Sequence, residues 1–402
     1  MSDSDVQAFF GESVLPADAN ASSYLTLAAA DKAGTFIRRD YEKPPSKGFA
    51  SPVENPDAVY WIASCTKLLT SIAVLQNVDK GLLQLDKDIS SILPEWKAPM
   101  ILKGFSNSDE PILKPAKNCI TLRHLLTHTS GMGYPFFNPL IGKFQSALGN
   151  GPFFRDTIAD TFPTILLREP GSRWEYSPAL EWAGQMVERV NGMKLGEYFQ
   201  RNIFDPLGIK NITFHLTDDM RARLVPTWFR SNGGLVPGQF PIPDPIKDAF
   251  GGGGLYSTAT DFLTVLHSLL QDDCPLLSKR GIDSLFTPQI DSDMLSKYAV
   301  HEADPRSRAV VLGSLPPDTK ISWGFGGLVT ISDTPSGRKS HSLHWSGMPN
   351  CFWWVDRQSE ICGLLLAQVL PAGDKQTVDL LTAFEDLVYS MNTGHSSSER
   401  PL

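Results

Sequence analysis

The sequence has no excess of positive charge, no long apolar run, few cysteines and no internal repeat, and each absence removes a class of protein. Basic residues number 36 against 44 acidic ones, a net charge of -8, so no field draws in a phosphate backbone and no nucleic-acid partner is expected. The longest uninterrupted apolar stretches, such as Ile361 to Ala367, fall far short of the ~18 residues that a membrane span needs. Five cysteines (Cys65, Cys119, Cys274, Cys351, Cys362) are odd in number, scattered and without C-x-x-C spacing. That is the pattern of reduced thiols rather than a disulfide framework or a zinc site, and neither a metal nor a cofactor is expected. The first twenty residues carry acids early and lack a basic n-region and an apolar h-region, which predicts no secretory signal and a cytoplasmic protein.

What is present is an ordinary globular composition: 402 residues, 42% hydrophobic and 20% charged, enough for two to three domains at about 150 residues each. Tyr24 to Ala30 and Gly34 to Arg39 flank the turn signal Asp31-Lys32-Ala33-Gly34 and read as a hairpin. Val59 to Ala63 then gives way at Ser64 to a helical pattern with Leu68, Ile72 and Leu75 on one face. From Asp86 to Asp248 the pattern is of helical pieces broken by Pro- and Gly-bearing loops. Thr121 reads as the N-cap of a helix carrying Leu122, Leu125 and Leu126, and Ser177 as the cap of another with Pro178 at its first position. Thr258, with Asp261 three residues on, caps a helix bearing Phe262, Val265 and Leu266. The last third returns to strands at Trp323 to Ile331, Ser342 to Trp345, Phe352 to Asp356 and Ile361 to Val369, closed by a helix through Leu380, Phe384 and Leu387. Strands at both ends with helices between predict an α/β (α+β) fold: one antiparallel sheet built from both chain ends and flanked by helices, with a mostly helical insertion. The expected division is a sheet domain of 1–90 and 250–402 and a helical domain of 91–249.

Ser64-Cys65-Thr66-Lys67 is an S-x-x-K tetrad at a helix start, and the i, i+3 spacing sets hydroxyl and ammonium on one face. A serine hydroxyl is a weak nucleophile that needs a nearby base, which a desolvated lysine can supply, while the helix start offers N–H groups to an oxyanion. Taken alone the tetrad also fits an N-cap serine beside a surface lysine. Tyr176, ahead of the helix near Ser177, can add the second polar group that relays the proton, or can simply pack beneath that helix.

Taken together, S-C-T-K at 64–67, I-T-L-R-H-L-L-T-H-T-S-G at 120–131, P-G-S-R-W-E-Y-S-P at 170–178, G-G-G-G-L-Y-S-T at 251–258 and H-W-S-G-M-P-N at 344–350 resemble the serine beta-lactamase and penicillin-binding-protein-like superfamily. Within it they are most similar to the class C-related esterases and the fungal transesterases that attach statin side chains. The resemblance implies a beta-lactamase-like fold with Ser64 as acylated nucleophile, Lys67 as its proton acceptor and Tyr176 as second base. It sets Trp345-Ser346-Gly347 in the place of the K-T-G strand and makes the backbone N–H groups of Ser64 and Met348 the oxyanion hole. His344, Trp323 and Phe325, with Trp345, Ser346 and Gly347, are the expected substrate-binding residues. Pro178 stands where beta-lactamases carry an asparagine, and Trp345 replaces the K-T-G lysine. Both departures favour an ester substrate with an apolar part over a lactam.

The function expected is serine-dependent acyl transfer, from a small-molecule ester or thioester donor, or an acyl carrier protein, to an alcohol or to water. An amide hydrolase of the beta-lactamase or peptidase kind and a catalytically silent scaffold are the alternatives. Met132 to Phe154, with Tyr134, Phe136, Phe137, Phe153 and Phe154, reads as a greasy lid or as packing of the helical region. His124 and His128 are four apart but lack H-E-x-x-H, and His341 and His344 lack the G-x-S-x-G elbow of a triad. Gly251 to Gly254 lacks the Lys-Ser/Thr ending of a phosphate loop and suits a close backbone approach at the cleft floor. Cys65 is expected to point into the core.

Overall fold

Eight antiparallel strands form the central sheet, and they come from the two ends of the chain. The computed structural model describes residues 1–10, 23–43, 50–55, 57–135, 137–149, 154–232, 234–238 and 246–395. Its sheet strands are β1 (Ser23–Asp31), β2 (Gly34–Lys43), β3 (Ser51–Val53), β4 (Ile321–Trp323), β5 (Leu328–Thr330), β6 (Leu343–Gly347), β7 (Cys351–Asp356) and β8 (Ile361–Leu366). Their spatial order is β4-β5-β6-β7-β8-β1-β2-β3. The two ends of the chain meet where β1 pairs with β8, Thr26 opposite Leu366 and Asp31 opposite Ile361.

Both faces of this sheet are covered, which is why its central strands read as nearly continuous apolar runs. Alternation along β1 sends Leu25, Leu27 and Ala29 into one cluster with Leu380, Phe384 and Val388 of helix α5 (Lys375–His395). Ala28 and Ala30 enter the main core, with Leu68 and Ile72 of α1 (Thr66–Asp79) and Val265 and Leu266 of α3 (Ala259–Ser268). Strand β7 alternates in the same way, Phe352 and Trp354 toward α5 and Trp353 and Val355 toward the main core. Helix α1 is buried almost all round, so its few polar side chains need partners inside: Thr70 Oγ1 donates to the Gly251 carbonyl at 2.5 Å and Asn77 Nδ2 to Ala73 at 2.8 Å.

Four local expectations are corrected. Ser177 does not cap its helix: α2 (Ala179–Asn191) follows Pro178 with no side-chain cap, and the Ser177 hydroxyl is instead bonded to His128 Nδ1 at 3.1 Å. Trp323 to Ile331 is two strands, not one, because Gly324-Phe325-Gly326-Gly327 folds back so closely that a Cβ on Gly324 would stand 2.3 Å from the Leu285 carbonyl oxygen. The run from Ile361 splits after Leu366, and Val369–Leu370 joins a separate small sheet with Trp228–Ser231. The 86–248 region also holds a hairpin, Met100–Phe105 with Pro111–Pro115, turned at Ser106 to Asp109. Thr121 and Thr258 do cap, each accepting from the N–H three residues on, at 3.3 and 3.2 Å. Phe136 and Phe153 lie outside the described residues.

Candidate active site

Lys67 sits on the first turn of α1 and is 2% exposed. Its Nζ donates to Ser64 Oγ at 3.2 Å, Tyr134 Oη at 3.1 Å and the Gly252 carbonyl at 2.7 Å. Three partners match the three protons of an ammonium. They also match a neutral amine that donates twice and accepts once, because the serine hydroxyl can reverse its direction. The group is therefore satisfied on both sides of a proton transfer.

Ser64 lies in the short turn Ala63–Cys65 that runs into α1. Ala63, just before it, is held at φ 45, a left-handed conformation that costs a non-glycine residue about 1–3 kcal/mol. On the other side, β6 ends against this turn: a Cβ on Gly347 would stand 2.4 Å from the Ile62 carbonyl oxygen. Only glycine lets the strand come so near, and the next residue, Met348, lines the same cavity as Ser64. Cys65 is fully buried, with its thiol directed at the Cys351 carbonyl.

Tyr176 lays its ring face 4.8 Å from Lys67 Nζ, and its oxygen accepts from Trp345 Nε1 at 3.1 Å. Indole N–H can only donate, so the tyrosine's own proton is left to point elsewhere. His128, Tyr134 and Trp345 pack around the ring at centroid distances of 4.7, 5.3 and 5.1 Å. Burial pushes the His128 imidazole far below its ordinary value, and the Lys67 charge adds to that, so His128 is a neutral support. Burial, with Tyr176 and Glu181 nearby, drives Tyr134 well above the ordinary phenol range, and Tyr134 stays protonated.

Two polar residues of the site do not stand out in the sequence. Tyr134 reads there as one more aromatic of the lid-like loop, yet it bonds Lys67. Glu181 on α2 is 1% exposed, lines the cavity and accepts the Gly252 N–H at 2.6 Å. Burial pushes its carboxyl up to about 7, while Lys67 and the Gly252 N–H act in the opposite direction. Gly252 is thus gripped from both sides, by Glu181 at its N–H and by Lys67 at its carbonyl, and a Cβ there would stand 2.5 Å from Glu181 Oε1. The sequence signal for Glu181 is an acid next to Leu180 and Trp182 on an otherwise buried helix.

The cavity over these groups measures about 680 Å³ and is walled largely by Trp61, Phe137, Phe154, Phe229, Met348 and Leu370. Ser346 also lines it and bonds the Val310 carbonyl at 2.9 Å. Of the other residues expected to bind substrate, Trp345 faces an adjoining cavity and Gly347 supports the strand end. Three do not reach either space. His344 is on the same face of β6 as Ser346 but one step further under α4 (Pro305–Leu312), where Nε2 meets the Val311 carbonyl at 3.2 Å. Burial lowers it to about 3, which leaves no base there. Trp323 forms a layer beneath Trp345, its ring 4.5 Å away and its Nε1 on the Leu126 carbonyl. Phe325 packs under the Arg123 guanidinium. His124 Nδ1 accepts from the Thr121 N–H and closes a capping box. Among the described residues no group of three His, Cys, Asp or Glu could hold a metal, and no helix is long and apolar enough to cross a membrane.

A serine bonded to a buried lysine, beside a strand end and two tyrosines, on a sheet built from both chain ends, is the arrangement of a serine acyl-transfer enzyme. The chain belongs to the Beta-lactamase family, whose model matches residues 48–385. Among curated relatives it is 36% identical to lovastatin esterase of Penicillium rubens over 90% of this chain and 93% of that one. It is 34% identical to monacolin J acid methylbutanoyltransferase of Aspergillus terreus, covering 82% of this chain and 81% of that protein. A solved mutant of simvastatin synthase from Aspergillus terreus superposes with a TM-score of 0.82 at 31% identity, over 92% and 93% of the two chains. The protein is a serine esterase/acyltransferase of beta-lactamase fold that passes acyl groups to an alcohol or to water and works on small molecules.

Proposed function

We propose that Ser64 carries the acyl group, that Lys67 takes its proton, and that Tyr176 moves a proton between the incoming or leaving oxygen and Lys67. The observation that carries this reading is the buried Lys67 Nζ, 3.2 Å from Ser64 Oγ and satisfied whether charged or neutral. Ser64 Oγ attacks the donor carbonyl, its proton passes to Lys67, and the carbonyl oxygen becomes an oxyanion facing the N–H groups of Ser64 and Met348. Collapse expels the donor alcohol or thiol, which takes a proton from Tyr176 and Lys67, and an acyl-enzyme remains. An alcohol or water then reverses these steps. Tyr134, kept protonated, and Glu181, through Gly252, hold Lys67 in place rather than moving the proton themselves.

The donor is an ester or thioester with an apolar acyl part, since the cavity beside Ser64 is mainly aromatic and aliphatic. A short branched acyl group, like the methylbutanoyl in one relative's name, fits it, and an acyl carrier protein is a donor to include in any panel. The acceptor is a hydroxylated small molecule, with hydrolysis as a side reaction. Residues 1–90 and 250–402 bring Ser64, Lys67 and Met348, residues 91–249 bring Tyr134, Tyr176 and Glu181, and we infer that the cleft lies between a sheet domain and a helical domain with these bounds. Five free thiols suit a reducing compartment such as the cytoplasm. The test is p-nitrophenyl butyrate turnover with and without added alcohols, following nitrophenol, butyrate and butyrate ester. A burst of nitrophenol followed by ester formation supports the reading. No burst and no ester with any acceptor would leave it without its transfer step.

A further inference from the structure

The wall that contains Tyr176 has a second cavity behind it. This space, about 370 Å³, shares Tyr134, Phe137, Tyr176, Ser307 and Val310 with the cavity over Ser64, but Ser64 does not line it. Its own lining is mixed where the first is greasy: Arg173, Glu175, Glu302 and Asp304 stand among Tyr298 and the indole of Trp345. We propose that the second cavity is the alcohol subsite, taking a hydroxylated acceptor that is neutral or cationic, while the acyl chain stays in the first.

The argument rests on the reading of Ser64 as the acylated residue, and on where the proton must go. In a two-step transfer the leaving alcohol and the entering alcohol occupy the same place, because deacylation retraces acylation. That place must touch the group that hands over the proton. Tyr176 is the relay that borders both cavities, and the Trp345 N–H, donated into its oxygen, turns the tyrosine's own proton away from the indole. In the transfer step the alcohol oxygen bonds to the acyl carbon and its proton passes to Tyr176 and Lys67. The bond from the acyl carbon to Ser64 Oγ then breaks, and Oγ recovers a proton from Lys67, leaving a new ester and a free serine.

Charge defines the ligand. Arg173 and Glu175 neutralise each other at 2.9 Å, and the second Glu175 oxygen is occupied by Asn138 Nδ2 at 3.1 Å. Asp304 caps α4, accepting from the N–H groups of Arg306 and Ser307, and its hydrogen bonds to Ser307 hold it below the ordinary carboxylate range. Among the described residues Glu302 pairs with the exposed Lys297, 3.9 Å away. The lining therefore keeps surplus negative charge, which repels a carboxylate and tolerates hydroxyl or ammonium groups.

The experiment uses vinyl butyrate as donor, because its two-carbon leaving group fills little of the second cavity, with 1,4-cyclohexanediol and 4-hydroxycyclohexanecarboxylate as acceptors. Ala303 lines the second cavity and not the first, and Ala303→Trp should lower the ratio of diol ester to butyrate at least tenfold while total vinyl butyrate consumption stays within twofold. Glu302→Lys, at an exposed position that tolerates the change, should shift preference from the diol toward the carboxylate acceptor at least tenfold, and it decides the matter even if Ala303→Trp does not fold. An unchanged product ratio and an unchanged acceptor preference would overturn the inference and leave the acyl-enzyme reading intact. Equal loss of consumption and transfer would overturn it too, by assigning the cavity to the donor. Consumption with no ester formed by the parent enzyme would remove both this subsite and the transfer step.

Discussion

In the proposed mechanism the chemistry turns on Lys67, whose three partners each come from a different region of the chain: Ser64 one turn earlier, Tyr134 from the helical region and Gly252 from the glycine run. Lys67→Ala and Tyr176→Phe are each expected to cut turnover about a hundredfold or more, the scale of lost general-base work. Tyr134→Phe, which removes a bond to Lys67 but no proton step, should cost about tenfold or less, so steady-state kcat on one ester separates mover from holder. Glu181 makes a prediction about stability. Its carboxyl sits at about 7 in the folded protein, above the 4.5 of an ordinary glutamate, so the fold holds this proton more tightly than the unfolded chain does. Its contribution to stability is then best below about pH 4.5 and is lost as pH rises toward 7. Glu181→Gln has no such loss, and its stability relative to the parent should grow by up to about 3 kcal/mol between pH 4.5 and 8 in urea unfolding. A difference constant with pH would contradict this. Ser64, Lys67 and Tyr176 were legible as candidates because S-x-x-K and the run before α2 are local patterns. Tyr134 and Glu181 were not, since only tertiary folding brings them to Lys67.

At the scale of elements, the site depends on β6 ending hard against the turn that carries Ser64. Gly347→Ala puts a methyl group where the Ile62 carbonyl oxygen stands, 2.4 Å away, so the strand end must retreat and take the Met348 N–H with it. With the Met348 N–H as one of the two proposed oxyanion donors, whose loss costs about a hundred- to a thousandfold in kcat, Gly347→Ala should fall in that range while circular dichroism stays native. Helix α5 offers a second test. Arg338 and Glu385, 2% and 1% exposed, form a buried ion pair joined by Ser314 and Ser336, which ties this helix to the sheet. Arg338→Met strands Glu385 and should cost about 3–5 kcal/mol in urea unfolding, whereas Arg338→Met with Glu385→Leu should recover most of it. Element boundaries were less legible than element types. Trp323 to Ile331 reads as one strand when Trp323, Phe325, Leu328, Val329 and Ile331 are taken together, but Gly324, Gly326 and Gly327 interrupt it, and the close packing of Gly324 against Leu285 goes with the turn that makes it two. The hairpin from Met100 was hidden because Ile112 and Leu113 are exposed on its second strand and give no alternation to read.

The whole molecule is organised by the pairing of β1 with β8, which closes one sheet from the two chain ends, with α1 and α3 on one face and α5 on the other. That plan was visible in the order of strand-like and helix-like segments. The cleft it creates was not, because a cavity is a property of surfaces that meet only after folding. It has two lobes, one greasy and one of mixed lining, with Tyr176 between them, and in the proposed scheme the balance of transfer and hydrolysis depends on what fills the second. Whether catalysis runs through an acyl group on Ser64, as proposed, is decided by intact-protein mass spectrometry after brief incubation with butyryl and methylbutanoyl thioesters. One added acyl mass is expected on the parent protein, mapped by peptide analysis to Ser64, lost when an alcohol is supplied and absent from Ser64→Ala. An adduct that persists in Ser64→Ala, or turnover by that variant at the parent's rate, would contradict it.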